Sequence, residues 1–190
     1  MSIVLVGSTS GSITLQEPAV AGTTVLDLPA TSGTILTTGT TGQVIASGAL
    51  PIGSVLQVVQ GTTSTQVSSS SSTYADTNVT ASITPKFSTS KILILITISG
   101  IGKDSSNTAI NLKMQKNNSD LITFNNNSIG YTGGTGSNFP GSAAFNYLDS
   151  PASTSALAYK VQFASNGNTS NTFVQLNNGT SSITLLEIAA

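Results

Sequence analysis

The side chains that could do chemistry in this chain are few and far apart. Its 190 residues include no Cys, no His and no Trp, which excludes thiol chemistry, imidazole chemistry and the usual zinc ligands. Seven carboxylates remain, and a hydrolase that uses two carboxylates would need a pair of them side by side. They fall in separate segments, which predicts a non-enzymatic protein with no catalytic, cofactor-binding or metal site. The seven acids are Glu17, Asp27, Asp76, Asp104, Asp120, Asp149 and Glu187.

Two short segments carry oxygen ligands of the kind that Ca²⁺ prefers. They are residues 104–107 and 117–120, each rich in Asn, Asp and Ser. Neither matches the twelve-residue calcium loop, and segments of this composition form turns without a metal. Both are therefore predicted to be turns.

The segment most typical of a binding loop is 127–141, which is rich in Gly, Ser and Asn. It lacks the Gly-Lys-Ser/Thr of a phosphate-binding loop and the third Gly of a dinucleotide fingerprint. Tyr131, Asn138 and Phe139 could instead bind a glycan, with the aromatic rings against the sugar's C–H groups and the amide on its hydroxyls. The alternative is a long connection whose aromatic side chains cover one end of the fold.

Charge is unusually scarce along the whole chain. Only 7% of residues are Asp, Glu, Lys or Arg, against about a quarter in ordinary soluble domains. The net charge is -1 and there is no Arg, which argues against a nucleic-acid partner because phosphate binding relies on clustered Lys and Arg. No apolar run reaches the length of about 18 residues that membrane insertion needs, and no secretory leader is recognised, so synthesis in a cytoplasm is expected.

The longest apolar run, residues 91–99, is predicted to be a central β-strand because of its Ile content and length. Successive side chains of a strand point to opposite faces, and here both faces are apolar. Two-sided burial is usually supplied by helices, and no segment has a helical pattern. We therefore expect a second sheet on one face and a neighbouring subunit on the other. The strand residues predicted to lie in the core or the trimer interface are Ile92, Leu93, Ile94, Leu95, Ile96 and Ile98.

Residues 1–50 repeat a short pattern. Pro-Ala-x-x-Gly-Thr occurs at 18–23 and at 29–34, and strand-like pieces lie at 3–6, 12–15, 24–28 and 34–37. Each piece has too few apolar residues for a core of its own, and short repeats of this kind become stable by stacking or by winding with other copies. The prediction is a repetitive β arm for anchoring and trimerisation, and the alternative is a flexible linker.

Residues 51–190 are predicted to form a jelly-roll-like antiparallel β-sandwich, so the whole chain is placed in the all-β class. Short strands recur between Ser, Asn and Gly turns, which is the pattern of a sandwich or jelly roll. The last strand, near 182–188, is the expected inner partner of the central strand. The expected strands lie at 54–59, 78–84, 91–99, 109–116, 121–124, 143–148, 157–164, 172–176 and 182–188.

Several of these motifs resemble those of fibre and other virion proteins of tailed phages, especially phages of aquatic bacteria. In the arm the resemblance lies in residues 12–39. In the sandwich it lies in residues 88–94, in 148–152 together with 159–162, and in the closing 183–188. The resemblance implies a homotrimer located in the virion.

Two functions follow as expectations from that resemblance. The first is a short tail-fibre-like protein that anchors to other virion proteins through residues 1–50 and attaches to a host cell-surface glycan. A typical tail fibre is longer and carries a separate tail-attachment domain, so the alternative is a capsid decoration protein that stabilises the head shell.

Overall fold

The computed structural model describes residues 2–6, 12–16, 51–134, 136–166 and 170–190. The chain divides into two compact units, Met1–Val44 and Ile45–Ala190. In the first unit, β1 (Ser2–Val6) pairs antiparallel with β2 (Ser12–Gln16), as expected for two of the four strand-like pieces. The other two pieces, both Pro-Ala-x-x-Gly-Thr repeats and the predicted domain boundary near residue 50 lie outside the described residues.

The described part of the second unit is built from β-strands and one short 3-10 helix, Leu176–Asn178, with no α-helix. All nine predicted strands are present, and β4 is an additional one. The strands are β3 (Val55–Thr63), β4 (Val67–Ser69), β5 (Ala75–Ile83), β6 (Lys91–Lys103), β7 (Thr108–Lys116), β8 (Ser119–Thr132), β9 (Asn138–Asp149), β10 (Leu157–Ser165), β11 (Thr172–Val174) and β12 (Ser181–Ile188).

These strands form two antiparallel sheets. The front sheet has the order β3-β12-β6-β9, with the short strands β4 and β11 continuing the rows of β3 and β12 at the far end of β6. The back sheet has the order β5-β10-β7-β8. When β3 and β4 are counted as one strand, and β11 and β12 as another, the arrangement is the eight-stranded jelly roll. The predicted all-β sandwich is thus confirmed.

The core lies between the inner faces of the two sheets. Ile92, Ile94, Ile96 and Ile98 of β6 are fully or almost fully buried, because strand alternation turns all four toward the back sheet. Buried residues of β5, β7 and β10 in the back sheet pack against these isoleucines. The largest of them are Leu112, Met114, Tyr159 and Phe163.

The outer face of β6 is different. Leu93 is only half-buried and Leu95 is 43% exposed, so within one chain the expected two-sided burial holds for the Ile face alone. The predicted pairing of the last strand with the central strand is confirmed, since Ile183 of β12 lies opposite Ile96.

The expectation of a long loop at 127–141 is wrong. β8 continues to Thr132 and β9 begins at Asn138, so the connection between them spans only 133–137. Pairing of β8 with β7 and of β9 with β6 outweighs the low β-propensity of Gly, Ser and Asn in this segment. Several register shifts in both ladders and positive φ angles at Gly130 and Gly141 accommodate the poor strand formers.

Candidate functional site

The sandwich has two distinct ends along β6. At the near pole the chain joins the sandwich beside its C-terminus, because the Gly53 N–H donates to the Ala189 carbonyl at 2.9 Å and the Ala189 N–H donates to the Ser54 carbonyl at 2.9 Å. At the far pole Lys103, the last residue of β6, lies opposite Asn138, the first residue of β9, and the connection 133–137 leads into it from β8. The 13 residues of β6 separate the poles by about 40 Å at the usual rise per residue.

All three residues of the predicted glycan site lie at the far pole, beside the connection from β8 of the back sheet to β9 of the front sheet. Tyr131 and Phe139 are 51% and 56% exposed, so both rings offer apolar surface to solvent. The Asn138 amide donates to the Gly130 carbonyl at 3.1 Å, which joins β9 of the front sheet to β8 of the back sheet and leaves the side-chain oxygen of Asn138 to accept. The ends of these two strands therefore place two exposed aromatic rings and one amide at the same end of the sandwich.

Residues that the sequence did not single out hold these rings. The Tyr131 hydroxyl donates to Asn107 Oδ1 at 3.3 Å, and Asn107 has a positive φ of 55° in the turn before β7. The Phe139 ring occupies the space that a side chain at Gly102 would need. An Asn in a turn and a Gly late in an apolar strand were the available signals, but neither indicates which residue of the neighbouring strand it contacts.

The far pole also contains a buried lysine. Lys103 is fully buried, and its ammonium donates to the Thr132 carbonyl at 3.3 Å. Burial lowers the pKa of Lys103, since removal from water disfavours the charged form. The amine thus supports the last residue of β8. The next residue, Asp104, is exposed at the same pole, and its carboxylate accepts a hydrogen bond of 2.9 Å from the Asn171 amide.

Asp76 and Asp120 form ion pairs on the outer face of the back sheet. Asp120 accepts hydrogen bonds from Lys113 at 2.8 Å and from Gln115 at 2.7 Å. These hydrogen bonds, with that from Lys113 the largest cause, lower the pKa of Asp120. Asp76 is paired with Lys160 at 3.2 Å and accepts from Gln162 at 2.6 Å.

Two further acids are buried near the start of β6. Asp149 accepts a hydrogen bond of 2.7 Å from the Tyr159 hydroxyl and pairs with Lys116 at 2.8 Å. Burial, and then the hydrogen bond to Asp149, raise the pKa of Tyr159. Glu187 accepts from the Lys86 backbone N–H at 2.7 Å, which ties the segment between β5 and β6 to β12. Each of these four carboxylates thus has its own hydrogen-bond partners in the sandwich.

No group of three or more potential metal ligands occurs among the described residues. The two segments with oxygen ligands for Ca²⁺ form turns, as predicted, with positive φ angles at Asn107, Asn117 and Asn118. The one acid of the second segment, Asp120, is already bound by Lys113.

A shallow cavity of about 220 Å³ opens on the back sheet. It lies where the β5–β10 ladder shifts register between Lys160 and Gln162, and Asn78, with a φ of 63°, lines it beside Asp76. Both oxygens of Asp76 are already engaged by Lys160 and Gln162, so the carboxylate that lines the cavity is already paired.

An apolar row crosses the outer face of the front sheet. Leu186 of β12 pairs on one side with Val58 of β3 and on the other with Leu93 of β6, and Leu93 pairs in turn with Leu148 of β9. Val58 and Leu148 are 58% and 51% exposed. One uninterrupted line of aliphatic side chains thus spans all four strands.

Comparisons with known proteins leave the family open. No protein-family model and no curated protein matches the chain. Among solved structures, the crystal structure of the infectious bursal disease virus VP2 subviral particle is similar, with 15% sequence identity and a TM-score of 0.42. The likeness covers 72% of this chain and 38% of the other chain. Among the described residues, no helix is long and apolar enough to cross a membrane.

Proposed function

We propose that this chain is a non-enzymatic structural protein of a tailed-phage virion that works as a short, fibre-like attachment protein. Residues 1–50 anchor it to other virion proteins and associate with two further copies, and the jelly roll is a head that contacts a host cell-surface glycan. Three weak sites on one trimer then act together, since tethered sites bind with a high effective concentration.

The observation that carries this proposal is that the two ends of the sandwich differ. The chain joins it at the near pole, beside Ala189, and the exposed rings of Tyr131 and Phe139 lie at the far pole. An anchor at one end and an exposed aromatic surface at the other suit a protein that reaches away from a particle. A surface with half-exposed rings and a free amide oxygen suits a neutral, hydroxyl-rich ligand.

Glycan binding is tested with the full chain on a glycan array and in a cell-adsorption assay. We expect binding that the double variant Tyr131→Ala with Phe139→Ala abolishes, because it removes both exposed rings. The control is Ile52→Ala at the near pole, a side chain that is 87% exposed and should leave binding unchanged. An array without hits, together with normal adsorption by particles that lack the chain, would rule out attachment.

The place of the chain in the particle separates a fibre from a capsid decoration protein. The experiment is imaging of purified particles with a label on the C-terminus, which lies away from the proposed glycan surface. A few copies at one vertex are expected for a fibre, whereas copies spread over the whole head would assign it to decoration. If the purified particles carry no label at all, the chain is not part of the virion and a virion role is refuted.

A further inference from the structure

We infer that a second copy of this chain covers the outer face of the front sheet. This inference deepens the proposed function, on which it rests, by naming the surface through which the heads of the oligomer contact one another. That surface, called here the assembly face, consists of Val55, Val58, Leu93, Leu95, Leu148, Leu186 and Ile188 with the uncharged residues around them.

The first argument is the register of the apolar row. The row consists of direct cross-strand neighbours, in the order Val58, Leu186, Leu93 and Leu148. The half-exposed Leu95 is the next outward-facing residue of β6 after Leu93. A solvated outer face of an antiparallel sheet is normally polar, and apolar side chains on it are scattered. A continuous row across four strands is typical of a surface that another protein covers.

The second argument is charge, and it favours a copy of the same chain over a different partner. Next to the row, Thr184 pairs with Gln60 and with Leu95, and Leu95 pairs with Asn146, so the neighbouring positions carry hydroxyls and amides. Lys91, at the rim, is the only ionisable side chain on this face of the four described strands. Recognition between different proteins commonly uses complementary charge, whereas interfaces between identical chains are more apolar and poor in charge. A face of this kind meets its own copy without repulsion.

The third argument is size and position. A patch four strands wide and about eight residues long covers about 500 Å² in projection at standard strand spacings. Its accessible area is larger, which brings it near the roughly 800 Å² per partner of a standard interface. The chain joins the sandwich through β3, an edge strand of this same sheet, so arms associated between copies would tether their assembly faces near one another.

The test uses the absence of Cys from the chain. Single variants Leu95→Cys on the assembly face and Thr123→Cys on the outer face of the back sheet are reacted with a maleimide, as full-length protein without other components. Both positions are exposed within one chain, so equal rates are expected if nothing covers either face. If a copy covers the assembly face, Leu95→Cys should react about tenfold more slowly, because only the minor dissociated state exposes it.

Sedimentation of the same samples identifies what covers the face. Slow labelling in an oligomer supports a second copy. Slow labelling in a monomer would mean that the chain's own arm covers the face, and equal labelling would mean that it is free; either result overturns the inference.

A charged pair of substitutions gives a second measurement. Leu95→Asp with Leu148→Asp should dissociate the heads, because it would bury unpaired charge between copies, whereas Ser82→Asp with Thr123→Asp on the back sheet should not. The arms could hold the copies together even when the heads have separated, and the sedimenting mass would then not change. In that case Val58→Cys is added to each double variant, and its maleimide labelling rate shows whether the assembly face is still covered. Unchanged mass together with unchanged protection would contradict the inference. Failure of the glycan or particle tests with a protected face would instead refute the proposed function alone.

Discussion

The two outer faces of the sandwich are built from the same kind of strand and carry opposite surfaces. The back sheet places its charged and amide side chains outward, in pairs such as Lys113–Asp120 and Lys160–Asp76. The front sheet places leucines and valines outward, in a row without an ion pair. The back sheet therefore has the composition of a solvated surface, and the front sheet is the face on which we propose that a second copy lies.

The inner and outer faces can also be compared within a single strand, β6. Ile96 and Leu95 are neighbours on β6, yet Ile96 is buried and Leu95 is 43% exposed. The two positions allow the contribution of the core to be separated from that of the assembly face.

The largest effect is expected from a charge inside the sandwich. Ile96→Asp should cost about 4 kcal/mol of unfolding free energy, since the carboxylate would be buried without a partner. Leu95→Asp should keep the native circular dichroism spectrum and the urea midpoint of a single chain. The measurement is urea unfolding at a concentration at which both variants are monomeric. Unfolding of Leu95→Asp would mean that its side chain belongs to the core.

A smaller effect separates the faces by their response to salt. Raising NaCl from about 0.1 M to about 1 M shortens the screening length from about 10 Å to about 3 Å. Association through the uncharged assembly face should not weaken over this range, and sulfate should strengthen it. Sedimentation velocity across the salt series measures this. Dissociation at high NaCl would show that ion pairs, and not the apolar row, join the copies.

The smallest effect concerns the back sheet in acid. The pKa of Asp120 is lowered in the folded state, first by the hydrogen bond from Lys113, so the ionised form stabilises the fold at neutral pH. This contribution is present above the unfolded pKa of about 3.9 and is lost as the pH falls through the lower folded value.

The matched variant is Asp120→Asn, which removes the charge and keeps the shape. It should be slightly less stable than the wild type at neutral pH and equal to it in strong acid, in urea unfolding along a descending pH series. A difference that persists in acid would assign the effect to shape and not to charge.

Much of the fold could be predicted from the sequence, because strand alternation records which side chains face the core. The Ile positions of β6 indicated its inner face directly, and in β10 every second residue from Leu157 to Phe163 is apolar and buried. The extension of β8 and β9 could not be predicted, since Gly and Asn form strands there only because β6 and β7 lie alongside. The proposed glycan surface and the assembly face also differ in how far the sequence could predict them. Tyr131 and Phe139 stood out by residue type, whereas the apolar row depends on the register of four strands that are distant in sequence.

The short distance between the start and the end of the sandwich has a practical consequence. Because Gly53 and Ala189 are hydrogen-bonded neighbours, a brief linker could join them, and the connection at 133–137 could be opened to give a circular permutant of the sandwich alone, without residues 1–52. Its new termini would emerge at the opposite end of the sandwich, so cargo fused there would lie beside the exposed rings of Tyr131 and Phe139.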